Sequence, residues 1–354
     1  MALLIPALTS VLAALMALGL LAQWHDRRRT FQLVWFVGMA CFAVASGCEA
    51  LAVAWGWDET LYRAWYLAGA VWTAGWLGLG NAFLLGRTRF GYGFAVCLFL
   101  AGLFTFLTPR RFPSEYPDVG IVPMVYLVVA GALAFAVAAA TWLGDWRWPR
   151  LAAVAVVGAT LLSLLLMAGT SIPAPGYAID PATGAPTGAL LPGQLRLLTP
   201  FMNVTGAFAL ILGALFSAYV FMPKRRVLEH TLEPDQPGEQ FLFQLLISPV
   251  AITVNFVASL PGAFRALLDG RLHSRVPATL LIAAGALVPT ITDSLNRFGS
   301  TEYFGVGKLV GVILLLAGFL VSAETFAEVR VPFTSIVLRA RRTEPEPTTE
   351  PAAR

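Results

Sequence analysis

The sequence predicts an all-α, polytopic integral membrane protein. Hydrophobic residues make up 58% of the chain and charged residues only 12%, and the mean hydropathy is +0.73. Soluble proteins carry about 25% charged residues, so this chain lacks the polar surface that a water-soluble fold needs. Apolar runs of about 20 residues, the length that a helix needs to cross a bilayer, recur along the chain.

The N-terminal run predicts a first transmembrane helix. The segment "MALLIPALTSVLAALMALGLLAQWHDRRRT" has no basic residue before its apolar run, and Arg27, Arg28 and Arg29 follow that run. A secretory signal peptide has its basic residues first, whereas basic residues after a span mark its cytoplasmic end. We therefore expect this helix to be retained, with its N-terminus outside.

Six further runs complete a predicted seven-helix bundle in residues 1–226, which ends at "MPKRR". The runs cover about residues 31–55, 62–86, 91–108, 121–143, 150–171 and 197–222. Alternate connections are rich in basic residues, namely Arg27, Arg28, Arg29, Arg87, Arg89, Arg147, Arg150, Lys224, Arg225 and Arg226. Because such residues favour the cytoplasmic side, the pattern also places the N-terminus outside.

The rest of the chain divides into three predicted regions. Residues 227–239 form a cytoplasmic loop, and residues 240–328 contain three more apolar stretches. Residues 329–354 form a cytoplasmic tail, which is expected to be disordered from about residue 343 because it is rich in Pro, Glu and Thr. The apolar stretches cover about residues 240–260, 276–295 and 303–326.

The first of these stretches is predicted to be a broken, re-entrant or interfacial segment. Pro249, Asn255 and Pro261 interrupt its apolar character, and a crossing would place the basic residues that follow it outside. We therefore expect about nine transmembrane helices plus one non-spanning segment. Ten spans, with the tail outside, are the alternative.

The candidate ligand-binding residues are polar or aromatic groups in or near the predicted spans. They are Glu49, Trp72, Trp76, Asn203, Asp293 and Lys308. Trp72 and Trp76 lie one helical turn apart, and they either pack against other helices or line a pocket for an apolar or cationic ligand. Asp293 either pairs with Arg297 or Lys308 beside a ligand pocket, or belongs to an ordinary exit loop.

The centres of the predicted spans contain no acidic or basic side chain. Ion-coupled carriers need ionisable groups or unwound helices at this depth, so the pattern argues against a proton pump or an ion-coupled transporter. Carriers of neutral or lipid-like molecules remain compatible with it. Gly307 and Gly311 form a small-residue pair that predicts a helix-mediated partner or a homo-oligomer.

The sequence contains no motif that predicts an enzyme, a cofactor or a metal site. His25, His230 and His273 are scattered without ligand spacing, and Cys41, Cys48 and Cys97 lie in apolar runs. Nucleophile-elbow, phosphate-loop and HExxH motifs are absent. The net charge of +4 is too small to indicate a nucleic-acid partner, which leaves the lipid bilayer as the expected environment.

Two resemblances accompany this pattern. With its topology and the basic end "MPKRR", the region 1–226 resembles the seven-helix membrane sensor regions that precede some bacterial histidine kinases, although this chain has no kinase domain. The segments "GALVPTITDSLNRFG" and "PFMNVTGAFALILGALFSAY" resemble those of bacterial multi-pass membrane proteins, which implies no function.

We therefore expect a non-enzymatic, receptor-like or scaffold protein of the bacterial inner (plasma) membrane, with an outer-facing pocket. A transporter or flippase-like carrier of a neutral or lipid-like substrate is the first alternative. A membrane enzyme that acts on lipids is the second.

Overall fold

The structure is a computed structural model that describes residues 3–117, 119–172, 191–228, 241–270, 272–297, 303–322, 328–330 and 337–339. Within these ranges the protein is almost entirely helical, and ten helices are long and apolar enough to cross a membrane. The predicted class, a polytopic helical membrane protein, is therefore confirmed. Residues 229–239 of the predicted loop and the predicted disordered end, 343–354, lie outside the described residues.

Twelve helices are numbered in chain order within the described ranges. The first six are α1 (Leu4–Arg27), α2 (Thr30–Trp55), α3 (Glu59–Trp65), α4 (Thr73–Leu84), α5 (Phe90–Arg111) and α6 (Val122–Trp142). The others are α7 (Trp148–Ala168), α8 (Gly193–Arg196), α9 (Leu198–Phe221), α10 (Phe241–Leu268), α11 (Arg275–Arg297) and α12 (Phe304–Ser322).

Four shorter elements complete the described secondary structure. A π-helical segment, Tyr66–Trp72, joins α3 to α4 without a break, and a 3₁₀ turn, Pro113–Glu115, follows α5. Two short antiparallel strands, β1 (Glu328–Arg330) and β2 (Val337–Arg339), follow α12.

Local sequence signals explain where several helices begin and end. The Asp58 carboxylate accepts a hydrogen bond from the Leu61 N–H group at 2.8 Å, which caps the start of α3. Gly56 ends α2 with a φ of 87°, a conformation that L side chains rarely adopt. Pro123 and Pro149 lie in the first turns of α6 and α7, where a missing N–H group is tolerated.

The larger hydrophobic core lies between α4, α9 and the helices around them, from α2 to α7. Gly78 of α4 faces the backbone of Gly206 of α9 so closely that neither position has room for a side chain. The buried Asn81 amide donates hydrogen bonds to the Ala209 and Leu210 carbonyls at 3.3 and 2.9 Å. Small residues and a satisfied amide therefore hold the central crossing together, as is typical of membrane helices.

A second core joins the α11–α12 hairpin to the first nine helices. Its buried residues come from α1, α2, α4, α9, α11 and α12, and include Met16, Met39, Ile211, Ile282 and Phe319. Helix α12 packs on α1 and α11 packs on α9, so the hairpin contacts both ends of the predicted seven-helix region. The hairpin is thus built into the bundle rather than attached at its edge.

Helix α10 corrects the expectation of a broken segment. It is continuous from Phe241 to Leu268, through both Pro249 and Pro261. Its last turns pack on the end of α9 and the start of α11 in a small third cluster. Residues 223–228, which begin two residues after the end of α9, lie against α10, and we call them the inner strap. Whether α10 crosses the membrane remains a prediction.

Candidate functional site

Glu49 of α2 and Lys308 of α12 form an ion pair across the bundle. The Lys308 Nζ atom lies 2.6 Å from Glu49 Oε1 and 2.5 Å from Oε2. The Lys308 side chain is 15% exposed and the Glu49 side chain is 17% exposed, so the pair is shielded from solvent and lipid. Glu49 lies about 9 Å from the end of α2 and Lys308 about 6 Å from the start of α12, at the ends predicted to face outside.

Trp65, the last residue of α3, completes the surroundings of the Glu49 carboxylate. Its indole Nε1–H group donates to Glu49 Oε1 at 2.8 Å, the same oxygen that Lys308 contacts. The ring of Phe304 lies 4.2 Å from the Lys308 ammonium, within the range of a cation–π interaction. One ammonium group is therefore held by a carboxylate and an aromatic ring, with an indole donor on the same carboxylate.

Aromatic rings continue this site along α3. The ring centroids of Trp57 and Tyr62 lie 5.6 and 6.2 Å from that of Trp65, and the ring of Tyr66 lies 6.3 Å from it. These distances are typical of favourable aromatic pairs. We call Trp57, Tyr62, Trp65 and Tyr66 the outer aromatic cluster, and it lies directly beside the Glu49 carboxylate.

The π-helical segment begins immediately after Trp65. Gly69, in its middle, faces Ala45 of α2, and a Cβ atom at Gly69 would lie 2.9 Å from the Ala45 Cβ. Within the segment the Ala68 carbonyl accepts a hydrogen bond from the hydroxyl of Thr73, five residues later, at 2.7 Å. Such π-helical turns are rare and occur frequently at functional sites. Here the segment directly follows Trp65, the residue that donates to Glu49.

The structure brings together two of the predicted site residues, Glu49 and Lys308, and places the others elsewhere. Trp72 donates to the Ser163 hydroxyl of α7 at 2.8 Å, and Trp76 is half-buried against the larger core, so both contribute to packing. Asn203 is half-buried on α9, one turn after Thr199.

Near the end of α11, Asp293 is half-buried, and the side chain of Arg297, its predicted partner, lies outside the described residues. Lys308, the other predicted partner of Asp293, is instead bound to Glu49. The predicted exit loop begins beyond this point, and residues 298–302 lie outside the described part of the chain.

Two further contacts correct or extend the sequence analysis. Gly307 and Gly311 face Thr292 and Pro289 of α11, so this small-residue face is occupied within the chain. Oligomerisation remains a prediction, but it would need another surface.

Arg63, which had no assigned role, donates to the carbonyls at the end of α7, Met167 at 2.5 Å and Thr170 at 2.6 Å.

The described residues contain no group of three potential metal ligands, and the described cysteines Cys41, Cys48 and Cys97 are thiols without a disulfide. The chain matches no protein-family model, no curated protein and no solved structure. The geometry around Glu49 therefore carries the functional argument.

Proposed function

We propose that the chain is a non-enzymatic receptor of the bacterial inner membrane, and that its outer site recognises a ligand with an ammonium group. The observation that carries this proposal is the arrangement of Glu49 and Phe304 around the Lys308 ammonium, with Trp65 bonded to the same carboxylate. A carboxylate beside aromatic rings is the arrangement that proteins use to bind ammonium ligands. In the structure, Lys308 supplies the ammonium group that occupies this site.

The location of the pair supports a signalling role. Ionisable residues within membrane helices are costly, and they usually mark functional sites. Glu49 belongs to α2 and Lys308 to the α11–α12 hairpin, so the pair connects two parts of the bundle. A ligand that replaces Lys308 at Glu49 would release α12 from α2. Such a ligand would bind the released conformation and not the paired one, and this difference in affinity is what shifts the population between them.

The test uses the reactivity of Lys308, one of two lysines in the chain. The full-length protein is treated with an amine-acetylating reagent in the presence of choline, and acetylation of Lys308 and Lys224 is measured by peptide mass spectrometry. We expect choline to accelerate acetylation of Lys308 and to leave Lys224 unchanged. The neutral isostere 3,3-dimethyl-1-butanol is the matched control, and it should have no effect.

The variant Glu49→Gln defines what the probe reports. Without the carboxylate, Lys308 should be acetylated rapidly even when choline is absent. Adding choline should then leave the acetylation rate unchanged. If choline and tetramethylammonium, which the reagent cannot acetylate on nitrogen, both leave Lys308 protected in the wild-type protein, the receptor proposal is wrong. Saturable uptake of choline into proteoliposomes would instead favour a transporter.

A further inference from the structure

The inner strap is bound to one face of α10 by backbone hydrogen bonds. Ser259 Oγ accepts from the Arg225 N–H group at 2.8 Å, and Asn255 Oδ1 accepts from those of Val227 and Leu228 at 2.8 and 3.0 Å. Asn255 Nδ2 donates to the Leu228 carbonyl at 3.0 Å. Both side chains are buried, so the polar face of α10 is satisfied by the strap.

The strap also fixes the depth of α10. Lys224 lies 5.7 Å from the ring of Tyr219 and Arg275 lies 4.9 Å from that of Phe221, and such aromatic and basic residues mark the membrane–water boundary. Ser259, at the middle of the apolar part of α10, is bonded to Arg225. If α10 crossed the membrane, the exposed Arg225 would lie near the centre of the hydrocarbon, which is costly.

The opposite face of α10 is apolar and exposed. Its large side chains are spaced by three or four residues, which places them on one stripe. They are Val250, Val254, Val257, Leu260, Phe264 and Leu268. A helix that lies in the membrane boundary presents such a stripe to the acyl chains and keeps its polar face toward the headgroups.

A basic cavity lies between the strap and α10. It has a volume of about 310 Å³, and Lys224, Arg225 and Arg265 contribute to its lining together with Ser259 and Gly262. The described residues that line it include three cations and no acid, although Asp269 lies one turn beyond Arg265. The cavity is therefore complementary to an anionic group of small size.

We propose that this cavity binds the phosphate headgroup of an anionic phospholipid of the inner leaflet, whose acyl chains lie along the apolar stripe of α10. The charge of the cavity, its position at the boundary and the adjoining apolar stripe each match one part of such a lipid. Helix α10 is then an in-plane helix, anchored by the strap on one face and by lipid on the other.

The test compares lipids and variants on the full-length chain in detergent, with bound lipid measured by native mass spectrometry. Phosphatidylglycerol should bind more tightly than phosphatidylcholine. Each of the substitutions Lys224→Gln, Arg225→Gln and Arg265→Gln should weaken phosphatidylglycerol about fivefold, and the triple variant should lose selectivity. Arg87→Gln, which removes an exposed charge from another predicted inner loop, is the matched control and should change nothing.

Three results would overturn the proposal. Equal losses in the triple variant and in Arg87→Gln would show a general charge effect. Displacement of phosphatidylglycerol by inorganic phosphate at equal concentration would show a free-anion site in which the apolar stripe plays no part. Equal binding of both lipids to the wild-type protein would exclude headgroup recognition. The variant Arg265→Gln, which leaves the strap sequence intact, keeps the test valid if the triple variant does not fold.

Discussion

The two lysines of the chain have opposite surroundings, one at each predicted side of the membrane. Lys308 is enclosed, and Glu49 of the same chain neutralises it. Lys224 is exposed at the edge of a cavity that it shares with Arg225 and Arg265. The comparison shows that a charge within the bundle needs a counter-charge from the protein, whereas a charge at the boundary is available to an external anion.

The largest expected effect comes from breaking the enclosed pair. Lys308→Met should lower the free energy of unfolding by about 3 kcal/mol, because it leaves the Glu49 carboxylate shielded without its counter-charge. Lys224→Met makes the same chemical change at the exposed lysine and should cost less than about 0.5 kcal/mol. Reversible unfolding in mixed micelles measures both values. Equal costs would remove the contrast between the two sites.

A smaller effect is expected from releasing the inner strap. Asn255→Leu removes three hydrogen bonds to the strap and should cost about 2 kcal/mol. The strap would also become accessible, so trypsin should cleave after Arg225 and Arg226 faster than in the wild-type protein. Val254→Leu, on the exposed stripe of the same helix, is the control and should leave the cleavage rate unchanged. An unchanged rate in Asn255→Leu would contradict the anchoring role.

The contribution of Trp65 to the outer site should be smaller still. Trp65→Phe keeps the aromatic ring but removes the indole donor to Glu49, and it should cost about 1.5 kcal/mol because the acceptor is charged. Acetylation of Lys308 should rise moderately, since the carboxylate has lost one of its two restraints. Trp55→Phe, at an exposed tryptophan, provides the control. A loss as large as that of Lys308→Met would mean that Trp65 is chiefly a packing residue.

The smallest effect is predicted for Arg226. Its side chain is exposed and does not line the basic cavity, so Arg226→Gln should leave both stability and phosphatidylglycerol binding nearly unchanged. Comparing phosphatidylglycerol binding in Arg226→Gln and Arg225→Gln tests whether the cavity or the general charge of the strap attracts the lipid. A fivefold loss of binding in Arg226→Gln would favour the general charge.

Much of the helical framework was predictable, because each signal is local. The predicted first run and the run at about 31–55 correspond to α1 and α2, and the predicted run at 62–86 corresponds to the span Glu59–Leu84. Helix α10 was predicted less well, since Pro249 and Pro261 suggested an interruption that the helix does not have. Proline weakens a helix but does not always end it when packing supplies the remaining contacts.

The candidate site was predictable only in part. Glu49 and Lys308 were singled out because charged residues are unusual in membrane helices, but their pairing joins residues 259 positions apart. Trp65 lies in the third predicted span together with Trp72 and Trp76, and no local signal sets it apart from them. The π-helical segment that follows Trp65, and the close approach of its Gly69 to Ala45, are likewise not visible in any local pattern.

The sequence by itself determined that this is a multi-pass helical membrane protein, because a bilayer demands apolar runs of a fixed length and each run is visible on its own. Only the tertiary structure decided that Lys308 meets Glu49 and that the inner strap lies along α10. These contacts depend on which helices pack together, and in a lipid environment nearly every apolar face is an acceptable one. Complementary shape and a few polar contacts determine which faces pack together. These contacts form only between neighbouring helices, so the sequence of one helix does not show them.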